Sequence, residues 1–529
     1  MEDNINVQIS EFPRIRKSGS IYVDKTNYFY RLVKPRPSDS CFFFLARPRR
    51  FGKSLMISTL KAIFQGKREL FEGLAIAKED YDWQFWPVFH FDLSTATGQT
   101  LEDCLNGFRM QVQVALSLAG FKVKQDTPRE MFTAALAQLQ EQGKQAVVLI
   151  DEYDAPICHA LNRPALCEAI RGELANFYAV LKANQAAIRF AMITGISKFA
   201  SMAVFSGLNN IVDLTYDPAY ATMLGYTQEE LEANFAEHLD RRAQEMHLSK
   251  ADFMAGLAHW FNGYRFSGDS EESVYNPVAI ARTLSSHKRI FEAQWSTTGR
   301  PSTLTTFLRR NELLSLNFDK PLMASPAELE TPSQLAALAP IVVLYQTGYL
   351  TIKGYQAAYD RYILGIPDEE IRRDLNAFLC ELALPDDAQR SRLNAHIDYE
   401  SRDIFLRADL PDFYAKCHYG ATEERIQEYN YQRLLQAFFL ARGFEPIVEA
   451  GQSSGKRADM VVKLPDFIYL FEFKTDGTTA QEALQQIKDK GYTTPYLHDG
   501  RPLVIVGLSF HKGKRELQSI AYEDLPSLA

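Results

Sequence analysis

The 529-residue chain lacks any apolar run of membrane-spanning length; stretches such as LAALAPIVVLY (335–345) reach about half of what a bilayer core needs. Cysteine is sparse. Cys41, Cys104, Cys158, Cys167, Cys380 and Cys417 are scattered with no CxxC spacing, which excludes a disulfide frame or a zinc site and points to reduced, buried thiols. Positive charge is also in short supply: 58 Lys and Arg against 66 Asp and Glu give a net charge of −8 and a pI near 5.8. That balance excludes a surface that coats nucleic acid everywhere, while leaving room for a local basic groove. No internal repeat or low-complexity tract is present, and the opening MEDNINVQIS is acidic and polar, unlike a signal peptide. A cytoplasmic protein is expected, with no membrane partner. The remaining composition, 46% apolar and 23% charged, is that of a globular protein of two to four domains.

Chemistry enters at FLARPRRFGKSL (44–55). The run CFFFLA (41–46) has the apolar character of a parallel strand buried on both faces, and LMISTLKAIFQG (55–66) has helical spacing with a glycine stop. A loop between such a strand and helix is the setting of a phosphate-binding loop, G-x-x-x-x-G-K-[ST]. Gly52 lets the backbone approach phosphate, Lys53 reaches the β- and γ-phosphates, and Ser54 sits on magnesium. Arg47 stands where the first glycine belongs, with Pro48 as the candidate for that turn. Alone, GKS also reads as the cap of an ordinary helix. AVVLIDEYD (146–154) weighs against that: an apolar strand ending in Asp151, which would hold a magnesium-bound water, and Glu152, which would polarise the attacking water. A third strand, IRFAMITG (188–195), ends in Thr194, placed to sense the γ-phosphate or simply satisfied at a strand end. The nucleotide set is therefore Arg50, Gly52, Lys53, Ser54, Asp151 and Thr194, with Ser54 and Asp151 toward the metal and Glu152 catalytic; ATP and Mg2+ are the cofactors. These strands predict a parallel α/β sheet with its site at the strands' carboxyl ends.

Residues 220–400 read as mostly helical. TQEELEANFAEHL opens on a Thr227/Glu230 capping box, a strand or hairpin is expected around 345–352, NGYRF (262–266) and YNP (275–277) read as turns, and LPDDAQRSR (384–392) as a linker or loop. Beyond 425, RIQEYNYQRLLQAFFLARGF predicts a helix carrying Glu428, and ADMVVKLPDFIYLFEFK a hairpin turning at Leu464–Asp466. Period two puts Ile468, Leu470, Glu472 and Lys474 on one face, and the hairpin brings Asp459 alongside. Carboxylate oxygens hold magnesium well, so Asp459, Glu472 and Glu428 are candidate metal ligands, while Lys474 orients water or steadies charge on phosphate. TAQEALQQIKDKGY, opened by a Thr479/Glu482 capping box, adds Gln486 and, one turn on, Lys490. The catalytic set read here is Glu152, Asp459, Glu472, Lys474 and Gln486. A lone ExK would be an amphipathic surface pair; the whole order argues for chemistry.

YVDKT (22–26), RPRRFGKSL, LIDEYD, ITGISKF, SGLNNIVDLT, and FNGYRF followed by VYNP resemble the bacterial AAA-ATPase-like family, whose members commonly carry a C-terminal PD-(D/E)XK nuclease-like domain. GKRADMVV…FEFK resembles that domain, with Ala458 where the superfamily's name has proline. The resemblance implies that Arg47 is the usual form of the loop, that Lys53, Ser54, Asp151 and Glu152 serve the nucleotide, and nothing firm for Tyr22, Asp24 or Lys25. Expected are a P-loop NTPase domain at 1–220, a mainly helical lid or middle domain at 221–400, and a restriction-endonuclease-like α/β domain at 401–529. The function expected is an ATPase coupled to a Mg-dependent nuclease acting on nucleic acid, DNA before RNA, in prokaryotic genome defence or mobile-element biology. The alternative is a nucleotide-gated switch whose last domain binds nucleic acid or protein without cutting. A homo-oligomer is allowed, with Arg49, Arg50 and Arg189 as candidate arginine fingers.

Overall fold

Strands covered on both faces are largely apolar, as in β1 Phe42–Ala46, β2 Val88–Asp92, β3 Ala146–Asp151 and β4 Ile188–Gly195; the short, partly exposed β5 Ile211–Asp213 completes the first sheet. The computed structural model describes residues 4–5, 10–34, 41–198, 210–295, 316, 318, 321–330, 339–384, 386–417, 426–448, 458–475, 477–511 and 516–525. The strand order is β2-β3-β4-β1-β5, every pair parallel. Helices α1 Lys53–Phe64, α2 Leu101–Leu118, α3 Pro128–Glu141 and α4 Pro164–Ala183 cover it. Phe64 of α1 packs on Phe190 of β4, while Phe132 and Phe177 close on Phe91 of β2. All polar strand ends that carry the expected chemistry therefore emerge at one edge of the sheet.

The chain divides into two compact units, residues 1–307 with 321–370, and 371–529 with 308–320. The first continues past the sheet with α5 Gln228–Glu245, whose Thr227/Glu230 capping box is formed as expected, and α6 Pro277–Ser285. Two readings of this stretch are corrected. The turns at NGYRF and YNP are paired strands, β6 Asn262–Tyr264 and β7 Val274–Tyr275. A three-stranded antiparallel sheet, β8 Leu322–Ala324, β9 Thr351–Gln356 and β10 Arg361–Gly365 in the order β8-β10-β9, stands among the helices. The strand or hairpin expected around 345–352 is present from Thr351, as β9 paired with β10, while Pro340–Gln346 before it is helical. The expected linker at 384–392 is helical from Asp387, because Asp386 caps it by accepting from Ala388 N and Gln389 N; Pro385, Ser206–Asn209 of SGLNNIVDLT and Gly455–Arg457 of GKRADMVV lie outside the described residues.

In the second unit, β11 Ile447–Val448, β12 Met460–Lys463, β13 Ile468–Lys474, β14 Leu503–Phe510 and β15 Leu517–Leu525 form a mixed sheet in chain order, parallel only between β13 and β14. Both faces of β13 are covered. Ile468 and Leu470 pack with Leu484 and Ile487 of α8 Ala480–Asp489, and Tyr469, Phe471 and Phe473 with Tyr431, Leu434 and Phe438 of α7 Glu428–Leu440. Helix α8 lies so close to β14 that a Cβ at Gly507 would stand 2.2 Å from Ala480 O.

One side chain fixes the loop after β1. Arg47 is 1% exposed. Its guanidinium donates to Ala46 O (2.9 Å), Thr215 O (2.7 Å) and Tyr220 O (3.2 Å), and lies 4.2 Å from the Phe266 ring. Burial lowers its pKa to about 10, so it stays a cation, held by carbonyl dipoles and a ring face. Arg47→Gly, which restores the usual glycine of the motif, is expected to destabilise the first unit by about 2–5 kcal/mol, because buried carbonyls lose their donor. Urea denaturation of the two proteins measures this, and equal stability would contradict the bracing role.

Candidate functional site

At the carboxyl edge of the first sheet, the loop from Arg47 to Gly52 encloses a polar cleft. Gly52 has φ +94°, a left-handed conformation open to glycine, and begins α1 with its amide end toward the cleft. Lys53 is buried, and its Nζ donates to Arg47 O (3.0 Å) and Pro48 O (3.1 Å), 4.0 Å from Glu152 Oε1. The loop's own carbonyls thus curl around the ammonium and hold it where a phosphate would meet it. Ser54, Asp151 and Glu152 line the same cleft. Asp151 is hydrogen-bonded to Ser54; burial raises its pKa, outweighing that bond and Lys53. Burial also raises the Glu152 carboxyl against the pull of Lys53. Glu152 has φ +51°, a strained setting for a side chain that must point into a site.

The structure brings Gly52, Lys53, Ser54, Asp151 and Glu152 together. Arg50 also lines the cleft, at φ +69°, with its guanidinium donating to Gln294 O at 2.5 Å. Thr194 is different: it is fully buried, donates to Leu45 O (2.8 Å), and is not among the cleft's lining residues. Sequence reasoning missed Asp92, which ends β2 beside Asp151 in the strand register, and Tyr226, Pro277 and Val278, which also line the cleft. The run VFHFD, apolar and closed by an acid as in β3, was the available signal for Asp92. The YVDKT segment is structural: Lys25 pairs with Glu230 at 2.6 Å and donates to Thr222 O, Asp24 caps Thr26 and accepts from Ala75 N, and Tyr22 is hydrogen-bonded to Thr59.

The second unit has its own polar centre. Pairing of Met460 with Phe471 and Val461 with Leu470 sets Asp459 beside Glu472. Asp459 Oδ2 accepts from Phe473 N at 2.7 Å. Glu472, 2% exposed, receives Lys474 Nζ at 2.8 Å and Gln486 Nε2 on the same oxygen, Oε1. Its other oxygen, Oε2, is buried with no hydrogen-bond partner. Burial raises the pKa of both carboxyls, and for Glu472 the charge of Asp459 adds to it. For Lys474 burial works downward, but the hydrogen bond and charge of Glu472 win and its pKa is raised. Glu428, at the start of α7, is near enough for its charge to act on Lys474; among the described residues, no three His, Cys, Asp or Glu side chains form a metal cluster, so Glu428 does not complete a trio here. Gln432 of α7 steadies the site by donating to Asp459 O at 2.6 Å. An orphaned carboxylate oxygen beside a second, half-buried acid suits a hard divalent cation, which supplies the missing partner and offsets the repulsion.

Comparison with known proteins agrees with this division. Residues 6–205 match the AAA-ATPase-like family, described as predicted AAA-ATPases, and residues 426–519 match the PD-(D/E)XK nuclease superfamily. An uncharacterized protein in the vnfD 5' region of Azotobacter chroococcum mcd 1 is 33% identical over 535 residues, covering 98% of both chains. Among solved structures, the Aeropyrum pernix ORC2 protein in ADPNP and ADP complexes is similar at 11% identity and TM-score 0.26, over 69% of this chain and 92% of that one. The Aeropyrum pernix ORC1 protein in complex with DNA is similar at 11% identity and TM-score 0.23, over 71% and 94%. No site assignment rests on those two likenesses. Among the described residues no helix is long and apolar enough to cross a membrane. With a phosphate-loop sheet in its first unit and an Asp–Glu-x-Lys hairpin in its second, the chain belongs to the AAA-ATPase-like family and carries a PD-(D/E)XK nuclease-superfamily domain at 426–519.

Proposed function

We propose that the chain binds and hydrolyses ATP and uses that cycle to control a divalent-cation-dependent nuclease centre acting on nucleic acid, DNA in preference to RNA. The division of labour is an ATPase segment at 1–220, a lid or middle segment at 221–400 and a cutting segment at 401–529. The observation that carries the reading is the buried, unpartnered Glu472 Oε2 next to Asp459 and Lys474. Leaving that carboxylate oxygen buried and unsatisfied costs about 1–3 kcal/mol or more, which a bound divalent cation would relieve. Genome defence or mobile-element control is the cellular setting such a pairing suits.

In the cleft, Lys53 binds the β- and γ-phosphates in place of its loop carbonyls, and Glu152 accepts the proton of the attacking water. Ser54 and Asp151 would hold Mg2+, which when bound neutralises charge on the phosphates. In the second unit, Asp459 and Glu472 would hold Mg2+, whose charge offsets that of the phosphodiester. Lys474 orients the attacking water and steadies the developing charge, while Gln486 keeps Glu472 turned toward the cation.

Lys53→Ala removes two charge-assisted hydrogen bonds worth roughly 1.5–3 kcal/mol each and is expected to weaken ATP binding about 100-fold or more. Calorimetry on the folded variant measures this; unchanged affinity would put the nucleotide elsewhere. For the cutting centre, Asp459→Ala and Lys474→Ala are each expected to lower Mg-dependent nicking of supercoiled DNA by at least roughly 10²–10³-fold, leaving ATP binding intact. Nicking that survives in both variants would remove the chemistry from this hairpin, and a parent that binds DNA without nicking would favour the switch without cleavage. Coupling is tested with Glu152→Gln, which keeps Asp151 for the metal and loses proton acceptance. Its ATP affinity is expected to change roughly 5–150-fold when DNA is bound, and by linkage DNA affinity changes by the same factor with ATP. Identical affinities at saturating DNA would leave two independent activities on one chain.

A further inference from the structure

Hydrolysis of ATP needs positive charge on the γ-phosphoryl group beyond what the loop lysine provides, and an arginine commonly supplies it. Three arginines of the first unit have the position or chemistry to be considered alongside Arg47, and the structure separates them. Arg189 lies at the opposite end of β4 from the cleft, donating to Val33 O at 3.1 Å with its guanidinium 5.7 Å from the Trp86 ring. Arg50 is drawn to the chain at Gln294, whose own amide donates to Glu370 Oε1 at 2.5 Å. Arg47 is buried under the loop. Arg49 alone of the four is exposed, lines the cleft, and makes no hydrogen bond or ion pair with any described residue.

Its place in the loop has a consequence. The carbonyls of Arg47 and Pro48 hold Lys53 Nζ, so the chain turns around that ammonium and the next residue, Arg49, emerges exposed in the cleft's lining. Both side chains line the cleft, near enough for the charge of Arg49 to act on the Glu152 carboxyl. A γ-phosphate seated on Lys53 would therefore have Glu152 and Arg49 beside it. The loop brace at Arg47 makes this possible, since it fixes where the following residues emerge.

Resting on the ATPase reading above, we propose that Arg49 of the same chain is the catalytic arginine of hydrolysis. As the water oxygen bonds to the γ-phosphorus, the bond from that phosphorus to the β–γ bridging oxygen breaks. The electron pair leaves on ADP, and the water proton passes through Glu152 to the solution or to the released phosphate. Arg49 donates to the γ-oxygens while their charge is redistributed, so it serves the transition state more than the bound ATP.

The test compares the parent with Arg49→Ala and Arg49→Lys, using ATP, ADP and ADP with aluminium fluoride, a mimic of the transferring phosphoryl group. Arg49→Ala is expected to keep the parent's melting temperature and bind ATP within about threefold, to lose kcat by roughly 10³-fold, and to fail to trap ADP with aluminium fluoride. Arg49→Lys keeps the charge without the two-pronged donor and is expected to fall between. Trapping and turnover equal to the parent in Arg49→Ala would overturn the assignment. Activity restored by mixing Arg49→Ala with Lys53→Ala, each inactive alone, would overturn the same-chain supply and make it a neighbour's arginine. A parent that binds no ATP at all would overturn the ATPase reading itself, a result that the mutant comparison keeps separate.

Discussion

A single buried cation governs the first unit. Arg47 takes the position that a glycine holds in the common phosphate loop, and its guanidinium satisfies carbonyls from β1 and from the segment after β5. A glycine allows a turn; this arginine imposes one, by anchoring the loop's start to the neighbouring chain. Everything downstream inherits the constraint. The carbonyls of Arg47 and Pro48 are placed to hold Lys53, Gly52 can complete the turn with a positive φ, and the cleft stays open, lined by Asp151, Glu152, Tyr226 and Val278. Carbonyls turned toward a buried guanidinium would lose their donors if it were replaced, so this position tolerates few other side chains.

In the second unit the corresponding constraint is register. With Met460 opposite Phe471, the alternation of β12 and β13 leaves Asp459 and Glu472 no choice but to meet, and the cores on both faces of β13 prevent a slip by one residue. The apolar packing thereby forces two acids together at a buried strand end, where burial raises both carboxyl pKa values and repulsion adds to it. Such strain lowers stability and is retained where a site needs it.

Much of this was legible in the sequence because the signals are local. The apolar strands ending in Ala46 and Asp151, the helix after Gly52, the capping boxes at Thr227 and Thr479 and the hairpin around Pro465 each declare themselves within a few residues. What escaped depends on contacts distant in the chain. Arg47 looked like a departure at the loop; its partners at Thr215 and Tyr220 lie about 170 residues on. Thr194 was open to either phosphate sensing or a satisfied strand end, and Leu45 O claims its hydroxyl across the sheet. Asp92 had a local signal in VFHFD, but its place beside Asp151 comes from strand order, which sets β2 next to β3. The paired strands at Asn262 and Val274 were too short for periodicity to show.

The central claim is that one chain holds two separate polar sites built for divalent cations, one dependent on nucleotide and one not. Counting bound Mn2+ by electron paramagnetic resonance tests it most directly. The expected count is one ion per chain without nucleotide, lost in Asp459→Asn, and two with ATP, the second lost in Lys53→Ala. No bound ion without nucleotide, or a first ion indifferent to Asp459, would contradict the account of the hairpin centre. A count that ATP does not raise would contradict the account of the cleft.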